Sequence, residues 1–446
     1  MTILACAAMP PARPSLRRRR HEHLAHQPRL HHHRSCIPRS RLTCGGAGQP
    51  APGPVHAPIW LLALIALSGS MAMHVFVPAL PAAARDLHAG VASVQLTISL
   101  YILGMAIGQL FYGPLSDRFG RRPVLMGGLV LYTVAGLGAA FAPDVHSLVA
   151  ARLLQAFGGC AGLALGRAMV RDTSAPQAAA QRLALMNLMT TIGPGLAPLI
   201  GAAVVGIAGW RAIFALFTVA GAACIWLTWR LVPETARPSA QLHWGGLARN
   251  YAGLLRSPAF LGYAVGGGCA VTSMYAFIAL APFVFTEQLH RPAYEVGFYV
   301  ATMVSGIWLG SVAASRLIPH MDIGRLMVRG NALSVAGAFV LLAAALSGHL
   351  SVAATVGAMF VFTLGAGMAA PGALARAVSV NPKVIGSASG LYGFIQMAVG
   401  ALCTTVAGLG HANAALSAAL VLAAAGVVAQ LAFWTAARYS GRILPA

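Results

Sequence analysis

The chain of 446 residues is 58% hydrophobic and only 9% charged, which excludes a soluble globular protein, because such a protein needs more charge to cover its surface. The formal net charge of +21 does not indicate a nucleic-acid-binding protein, because most basic residues beyond the N-terminal segment stand in short gaps between long apolar runs. The composition predicts an integral membrane protein that contacts the lipid bilayer and has no nucleic-acid partner.

The N-terminal segment, residues 1–57, differs from the rest of the chain. It is rich in Arg, His and Pro, with consecutive arginines at 17–20 and consecutive histidines at 31–33. A segment of this composition has little apolar surface to bury. We therefore predict a basic, disordered cytoplasmic tail rather than a metal site at the histidines.

Twelve apolar runs follow the tail, each long enough for a membrane-spanning helix, which needs about 20 residues. The first six are 59–80, 92–114, 123–142, 146–169, 182–208 and 210–231, and the second six are 259–285, 296–318, 326–346, 350–374, 386–409 and 412–434. The sequence thus predicts an all-α membrane protein with twelve transmembrane helices in two six-helix halves. Its predicted parts are the halves 58–231 and 259–434, a cytoplasmic linker 232–258, and a cytoplasmic C-terminal tail 435–446.

Basic residues are distributed unequally between the two sides of the membrane. Counted with the first two residues of the span that follows, the intervals after the odd-numbered spans hold only Arg85, Arg211 and Arg291. The intervals after the even-numbered spans hold many more, among them Arg118, Arg121, Arg122, Arg171, Arg182, Arg237, Arg249, Arg256, Arg325, Arg376, Lys383, Arg438 and Arg442. Since basic residues are retained in the cytoplasm, we expect both termini to be cytoplasmic.

Two six-helix halves are the plan of many secondary transporters, which hold their substrate near the bilayer midplane. A channel or a membrane enzyme can have twelve spans too, but the sequence shows neither a filter signature nor clustered His, Asp or Ser within the spans. There is no GxxxxGK[ST] loop, so we do not expect ATP to drive transport. The seven cysteines form no CxxC pair, and we expect no disulfide, metal site, cofactor or enzymatic activity.

The interval after span 2 reads Gly-Pro-Leu-Ser-Asp-Arg-Phe-Gly-Arg-Arg-Pro, residues 113–123. We expect Gly113 to let a neighbouring helix approach span 2, and Gly120 to permit a tight reversal. Asp117 can lie against a helix N-terminus, where the helix dipole favours an anion. The loop resembles the signature loop of the major facilitator superfamily, which implies a role in conformational gating for Gly113, Asp117, Arg118, Gly120, Arg121 and Arg122.

Other segments narrow the resemblance to Bcr/CflA-type drug-efflux transporters of the bacterial cytoplasmic (inner) membrane. They are Val77–Pro81, Arg152–Gly159, Arg167–Asp172, Gly193–Gly201, Gly209–Phe214 and Pro233–Thr235. The resemblance implies efflux of antibiotics and other small, apolar, drug-like compounds in exchange for protons. We expect the protein to act as a monomer.

Arg152 is the most informative charged residue within a span. It lies about six residues from the end of span 4, or roughly 10 Å deep at 1.5 Å per residue. A charge at this depth usually faces a water-filled cavity, although the side chain could instead extend to the outer surface. The resemblance implies that it couples protonation to substrate binding. Other candidate pathway residues, for which helix packing is the more frequent role, are Tyr101, Gln109, Gln155, Asn187, Tyr275, Tyr392 and Gln396.

His74 stands where Bcr/CflA-type relatives commonly carry an Asp, and no span interior contains a carboxylate. His74 can cycle a proton near neutral pH and is therefore the candidate proton carrier. A neutral His bonded to a backbone carbonyl is the alternative. A cavity with Arg152 and no carboxylate predicts export of neutral, zwitterionic or weakly anionic compounds, such as amphenicol-like antibiotics, in preference to quaternary ammonium dyes.

Span 5 contains Gly193, Pro194, Pro198 and Gly201. The prolines remove helix hydrogen bonds and the glycines thin the surface, so we expect a bend and close packing against the other half. In the resembling family this motif marks exporters, although a kink without directional meaning is the alternative. Two further functions stay open, namely import of a small metabolite on the same fold and a non-transporting membrane receptor.

Overall fold

The computed structural model describes residues 57–174, 176–235, 244–318, 320–381, 384–410 and 413–440. The predicted N-terminal tail, apart from residue 57, lies outside the described residues, as do parts of the linker and the last six residues. Nearly all of the described chain is helical. The predicted all-α membrane protein with twelve transmembrane helices in two halves is confirmed.

The N-terminal half has six spans, and the first of them is interrupted. Its helices are α1 (Ile59–Phe76), a 3-10 turn (Val77–Ala79), α2 (Leu80–Asp86), α3 (Val91–Phe119), α4 (Arg121–Ala140), α5 (Val145–Asp172), α6 (Pro176–Ala208) and α7 (Arg211–Leu231). α1, the turn and α2 together form one span of 28 residues.

The C-terminal half repeats this plan after a short helix in the linker. Its helices are α8 (Trp244–Leu255) in the linker, then α9 (Pro258–Val271), α10 (Met274–Phe283), a π-helical turn (Val284–Gln288), α11 (Ala293–Leu317), α12 (Ile323–Leu346), α13 (Val352–Ser379), α14 (Ile385–Gly408) and α15 (Ala414–Ser440). α9, α10 and the turn form one span of 31 residues. Helix α8 was not predicted from the sequence, because its 12 residues are too few for a span.

Eleven of the spans in the described residues are long and apolar enough to cross a membrane by length and composition. The twelfth is α6, which is 33 residues long and ends with the apolar stretch Leu196–Ala208. Large apolar side chains point outward along the bundle, as expected for contact with lipid rather than water. They include Phe141, Val219, Trp226, Trp229, Leu402 and Leu431.

Local sequence features begin and end these helices. Asp144 caps α5 in a capping box with Ser147, so the first free N–H groups of the helix have an acceptor. Gly120 has φ of 94°, a conformation that side chains disfavour, and it reverses the chain between α3 and α4. The two interrupted spans, broken at Val77–Ala79 and between α9 and α10, occupy equivalent places in the two halves, which is typical of transporter binding regions.

We call the end of the bundle that carries the α3–α4 loop the basic end, because Arg121, Arg171 and Arg376 lie there. The other end, where α2 meets α3, is the opposite end. The halves contact each other along α3 and α14 and along α6 and α11. At the opposite end, Gln95 Nε2 of α3 donates to the carbonyl of Thr404 of α14 at 3.0 Å.

Candidate functional site

A cavity of about 230 Å³, the central cavity, lies between the two halves. Helices α1, α3 and α5 form one wall, and α9, α10, α11 and α14 form the other. Four of its sixteen lining residues are methionine, whereas the whole 446-residue chain has only sixteen methionines. Methionine is flexible and polarizable, so this lining suits ligands of varied shape. The four are Met73, Met105, Met274 and Met397.

His74 lies in the wall of the central cavity with 2% of its surface exposed. Its Nδ1 is 3.0 Å from the carbonyl oxygen of Ser70, and since a carbonyl only accepts, Nδ1 is the donor. The ring packs edge-to-face with Tyr275 of α10, with centroids 5.7 Å apart, so it joins the two halves. Within the described residues Nε2 has no hydrogen-bond partner. Neutral His74 therefore keeps one unpartnered acceptor nitrogen.

Arg152 is fully buried and is not among the residues that line the central cavity. Its guanidinium carbon lies 4.0 Å from the ring centroid of Tyr101, 5.2 Å from that of Phe76 and 5.6 Å from that of Phe214. Nη1 donates to Gln155 Oε1 at 2.8 Å, while Nε and Nη2 have no partner among the described residues. An aromatic cluster thus stabilises this cation where the sequence predicted a cavity.

The other candidate pathway residues are distributed over several places. Tyr101 lines the central cavity and donates from its hydroxyl to the carbonyl of Gly69 at 2.6 Å. Gln155 is buried beside Arg152 and faces Gly136 of α4. The side chain of Asn187 lies outside the described residues.

A second cavity, of about 400 Å³, lies at the basic end, and we call it the vestibule. α3 and α5 line it on one side, and α8 and the start of α14 line it on the other. Its charged lining residues are Asp117, Arg121, Arg167 and Arg171. Arg167 lines the vestibule and the central cavity alike.

Arg121 is the centre of an ion-pair network in the signature loop. Its Nη1 is 2.7 Å from Asp117 Oδ1, and its Nε is 2.8 Å from Asp172 Oδ2. Nη1 also donates to Ser116 Oγ at 2.5 Å. Because Asp172 is the last residue of α5, the network ties the α3–α4 loop to that helix.

Glu234, which follows α7, accepts hydrogen bonds from the first two backbone N–H groups of α4. The distances are 2.8 Å from Arg121 N and 3.1 Å from Arg122 N. A carboxylate is favourable there because the helix dipole is positive at its N-terminus. Gly120 leaves room for it, since a Cβ at that position would lie 2.5 Å from Glu234 Oε2. Arg122 Nη2 donates to the carbonyl of Trp229 at 2.6 Å.

Two other signature residues face solvent or the vestibule. Arg118 stacks over the ring of Phe119, 5.0 Å from its centroid. Gly113 lines the vestibule, and no described atom outside its own turn of helix lies within 4 Å of where its Cβ would be. The close helix approach expected at Gly113 is therefore not found in this conformation, because the vestibule separates α3 from α14 there.

Asp117→Asn is expected to lower transport several-fold while the protein remains folded in the membrane. The substitution removes the charge that pairs with Arg121 on a side chain that is 60% exposed, so little stability depends on it. The measurement is transport rate at matched membrane levels. Asp144→Asn is the matched control, because Asn caps a helix as well as Asp does. Equal rates for Asp117→Asn and the unmodified protein would contradict a gating role.

The glycines and prolines predicted to bend span 5, Gly193, Pro194, Pro198 and Gly201, lie in α6, and we call them the α6 motif. This motif packs against both halves. A Cβ on Gly193 would overlap the Leu67 side chain of α1, and one on Gly201 would overlap the carbonyl of Val75. The carbonyl of Pro198 lies against Gly297 of α11, where a Cβ would approach it to 2.7 Å. Close packing of this motif against the other half is therefore present. The side chain of Pro194 lies outside the described residues.

Comparison with known proteins agrees with this architecture. The chain matches the Major Facilitator Superfamily over residues 62–404. It is 31% identical to the chloramphenicol resistance protein of Pseudomonas aeruginosa over 73% of this chain and 76% of that protein. It is 28% identical to the multidrug transporter MdfA of Yersinia pestis over 76% of this chain and 83% of that protein. The crystal structure of D-xylose-proton symporter aligns at TM-score 0.69, covering 84% of this chain and 96% of that chain, and its 16% identity shows the fold alone.

These findings define a multi-pass membrane transporter and not an enzyme. The chain belongs to the major facilitator superfamily. The resemblance to its drug-efflux transporters, inferred from the motifs, is confirmed.

Arg167 belongs to one of the motifs that carry the family resemblance, but the sequence did not predict it as a cavity residue. It lies within the otherwise apolar stretch 161–170, and a charge inside a span is by itself a signal of function. Its position near the end of span 4 made it resemble the arginines that hold loops in the cytoplasm. The structure instead directs it inward, between the two cavities.

Proposed function

We propose that this transporter exports small apolar compounds, amphenicol-like antibiotics among them, across the bacterial inner membrane in exchange for protons. The observation that carries the proposal is the central cavity between the halves, with its methionine-rich lining and its buried His74. Methionine-rich surfaces accept differently shaped apolar ligands, as a drug exporter must. The names of the two relatives, a chloramphenicol resistance protein and a multidrug transporter, agree with this substrate class.

The basic end is proposed to face the cytoplasm, with both termini on that side. The excess of arginines there is the signal that sets the orientation of membrane proteins. On this assignment the vestibule opens toward the cytoplasm, and the contact between Gln95 and Thr404 closes the outer side. Substrate then enters from the cytoplasm or the inner leaflet.

Alternating access is the proposed mechanism. Across the vestibule, Asp117 faces the first residues of α14, Ile385 and Gly386. Rocking of the halves would close the vestibule and bring the carboxylate toward the N-terminus of α14, where the helix dipole favours an anion. The close contact of Pro198 with Gly297 at the opposite end has to open in the same movement. The signature loop and the α6 motif are therefore proposed to bias the two states.

His74 is the proposed proton carrier. A proton on Nε2 would place a cation in a cavity wall where no described lining residue is a carboxylate. A cation in that setting is costly, so protonation and occupancy by an apolar drug would disfavour each other. This competition is the coupling that exchange of drug for protons requires.

His74→Ala is expected to reduce pH-gradient-driven chloramphenicol transport in proteoliposomes by about tenfold or more. Chloramphenicol binding should change only a few-fold, because His74 is one of sixteen lining residues. His349→Ala is the control, since His349 is exposed and its one hydrogen bond within the described residues is to the carbonyl of Ser347. Full gradient-driven transport by His74→Ala would exclude His74 as the carrier.

The direction of transport is tested in an efflux-deficient bacterial host. Expression of the gene should raise the inhibitory concentration of chloramphenicol several-fold and lower its cellular accumulation. Increased accumulation in expressing cells would instead support import. Unchanged susceptibility to a panel of neutral antibiotics, at confirmed membrane levels, would contradict drug export.

A further inference from the structure

Arg167 of α5 lies where the central cavity meets the vestibule. It lines both cavities, so a ligand that moves from the vestibule to the methionine-rich lining passes its side chain. The neighbouring residue Gly166 lies against Met186 of α6 and Leu62 of α1, so these two helices support α5 at this level. Arg167 therefore occupies the throat of the pathway on a well-packed helix.

Within the described residues Arg167 is a cation without a counter-ion. The two acids at this end of α3 and α5, Asp117 and Asp172, both pair with Arg121, at 2.7 and 2.8 Å. None of the five ion pairs in the described part of the chain includes Arg167. Arg171, one turn further along α5, adds a second positive charge to the vestibule. The throat is therefore electropositive and has an unpaired guanidinium.

An unpaired guanidinium between two cavities favours a ligand with a carboxylate. The planar fork of N–H donors matches the two oxygens of a carboxylate, and such charge-assisted pairs are stronger than neutral hydrogen bonds. Partial burial strengthens the attraction, because water screens it less. A ligand with an ammonium group is repelled at the same place, because the ammonium and the Arg167 guanidinium are both cations.

The shape of the central cavity determines the rest of the ligand. Packing of Gly159 on Gly69 and of Gly166 on Leu62 sets the register of α5 against α1. Leu62 lies twelve residues before His74, which corresponds to about 18 Å along α1 at 1.5 Å per residue. The wall between these levels is apolar and methionine-rich. A ligand anchored at Arg167 therefore needs an elongated apolar body.

We propose that Arg167 is the binding residue for the carboxylate of an elongated apolar monoanion, and that aryl-alkyl carboxylates are a preferred ligand class of this transporter. The proposal rests on the proposed export function, because it names a ligand class for the same cavity. The carboxylate pairs with Arg167 at the throat, and the aryl group lies among Met73, Met105 and Met274. Arg152, enclosed by aromatic rings, does not take part.

The test is equilibrium binding to the full-length protein in nanodiscs near pH 7.5. Three probes share one skeleton and differ in the head group: 4-phenylbutyrate, 4-phenylbutanamide and 4-phenylbutylamine. The unmodified protein should bind the carboxylate about tenfold or more tightly than the amide, and the amine most weakly. Arg167→Gln should remove the preference for the carboxylate and keep amide affinity within about twofold. Arg167→Lys should keep part of the preference for the carboxylate. If Arg167→Gln does not fold, the reduced preference of Arg167→Lys is the test instead.

Arg230→Gln is the matched control, because Arg230 stacks on Trp229 at the end of α7 and removing it changes the net charge equally. It should retain the full preference. Equal binding of the carboxylate and the amide by the unmodified protein, or an undiminished preference in Arg167→Gln, would overturn the proposal. Chloramphenicol efflux from cells is measured in parallel. If cells export chloramphenicol but the protein does not prefer the carboxylate, only this inference is wrong. If the protein prefers the carboxylate but cells do not export chloramphenicol, this inference is supported and the proposed drug export is wrong.

Discussion

Replacing Arg152 with methionine is expected to reduce chloramphenicol transport by about tenfold or more, while the melting temperature of the protein changes by only a few degrees. The guanidinium is fully buried among Tyr101, Phe76 and Phe214, and its only hydrogen bond within the described residues goes to Gln155. Transport should change far more than the melting temperature, because burying this charge costs free energy that its contacts offset only in part.

The energetic terms at Arg152 offset each other. Burying a cation costs several kcal/mol, by an order-of-magnitude estimate. Each ring contact returns about 0.5–2 kcal/mol and the charged hydrogen bond about 1.5–3 kcal/mol, while Nε and Nη2 remain unpartnered. Methionine fills much of the same space without a charge to desolvate. The net change in folding free energy is therefore small.

The loss of transport has a different origin. The guanidinium lies 4.0 Å from the ring centroid of Tyr101, which lines the central cavity and donates to the carbonyl of Gly69 in α1. Removing this cation takes away a contact that holds the cavity wall, so substrate binding and the movement of α3 against α1 are expected to be impaired. Transport and thermal unfolding of Arg152→Met are compared with those of Arg230→Met, whose arginine stacks on Trp229 at the end of α7. A melting temperature lowered by more than about 10 °C, or unaltered transport, would contradict this account.

Gly201→Ala is expected to abolish most transport and to lower the melting temperature by several degrees. The added Cβ would overlap the carbonyl of Val75 in α1 and lie 2.9 Å from Pro78 Cγ. A backbone carbonyl cannot turn aside as a side chain can, so α6 has to move away from α1. Overpacking of this kind costs about 1–3 kcal/mol. It also displaces the helix whose Pro198 contacts α11 in the other half.

Gly206→Ala provides the control on the same helix. No described atom outside the same turn of α6 lies within 4 Å of the Cβ that this substitution adds, and alanine favours a helix over glycine. Its transport and melting temperature should match or slightly exceed those of the unmodified protein. If Gly201→Ala behaved like Gly206→Ala, close packing between α6 and α1 would not be required for transport.

The span count and the signature loop were predictable because each depends on local sequence. A run of apolar residues long enough to cross the bilayer satisfies its own backbone hydrogen bonds as a helix, whatever surrounds it. The arginines of residues 118–122 mark one end of the bundle, because a run of charged residues stays outside the lipid whatever its tertiary neighbours are. The network in which Arg121 joins Asp117 to Asp172 was not predictable, because it needs the end of α5 to lie beside the α3–α4 loop.

By itself, the sequence determined the class of membrane protein, its two halves, its superfamily motifs and the lack of a carboxylate in the span interiors. Which arginine of α5 lines the cavities was decided only by the tertiary structure. Arg152 and Arg167 lie in one helix, about four turns apart, and its faces are too uniformly apolar to indicate its rotation. Packing of Gly159 on Gly69 and of Gly162 on Ile65 fixes that rotation. This rotation of α5 directs the Arg152 side chain to the aromatic cluster and the Arg167 side chain toward the cavities. The glycines set the rotation because helices approach most closely where side chains are smallest.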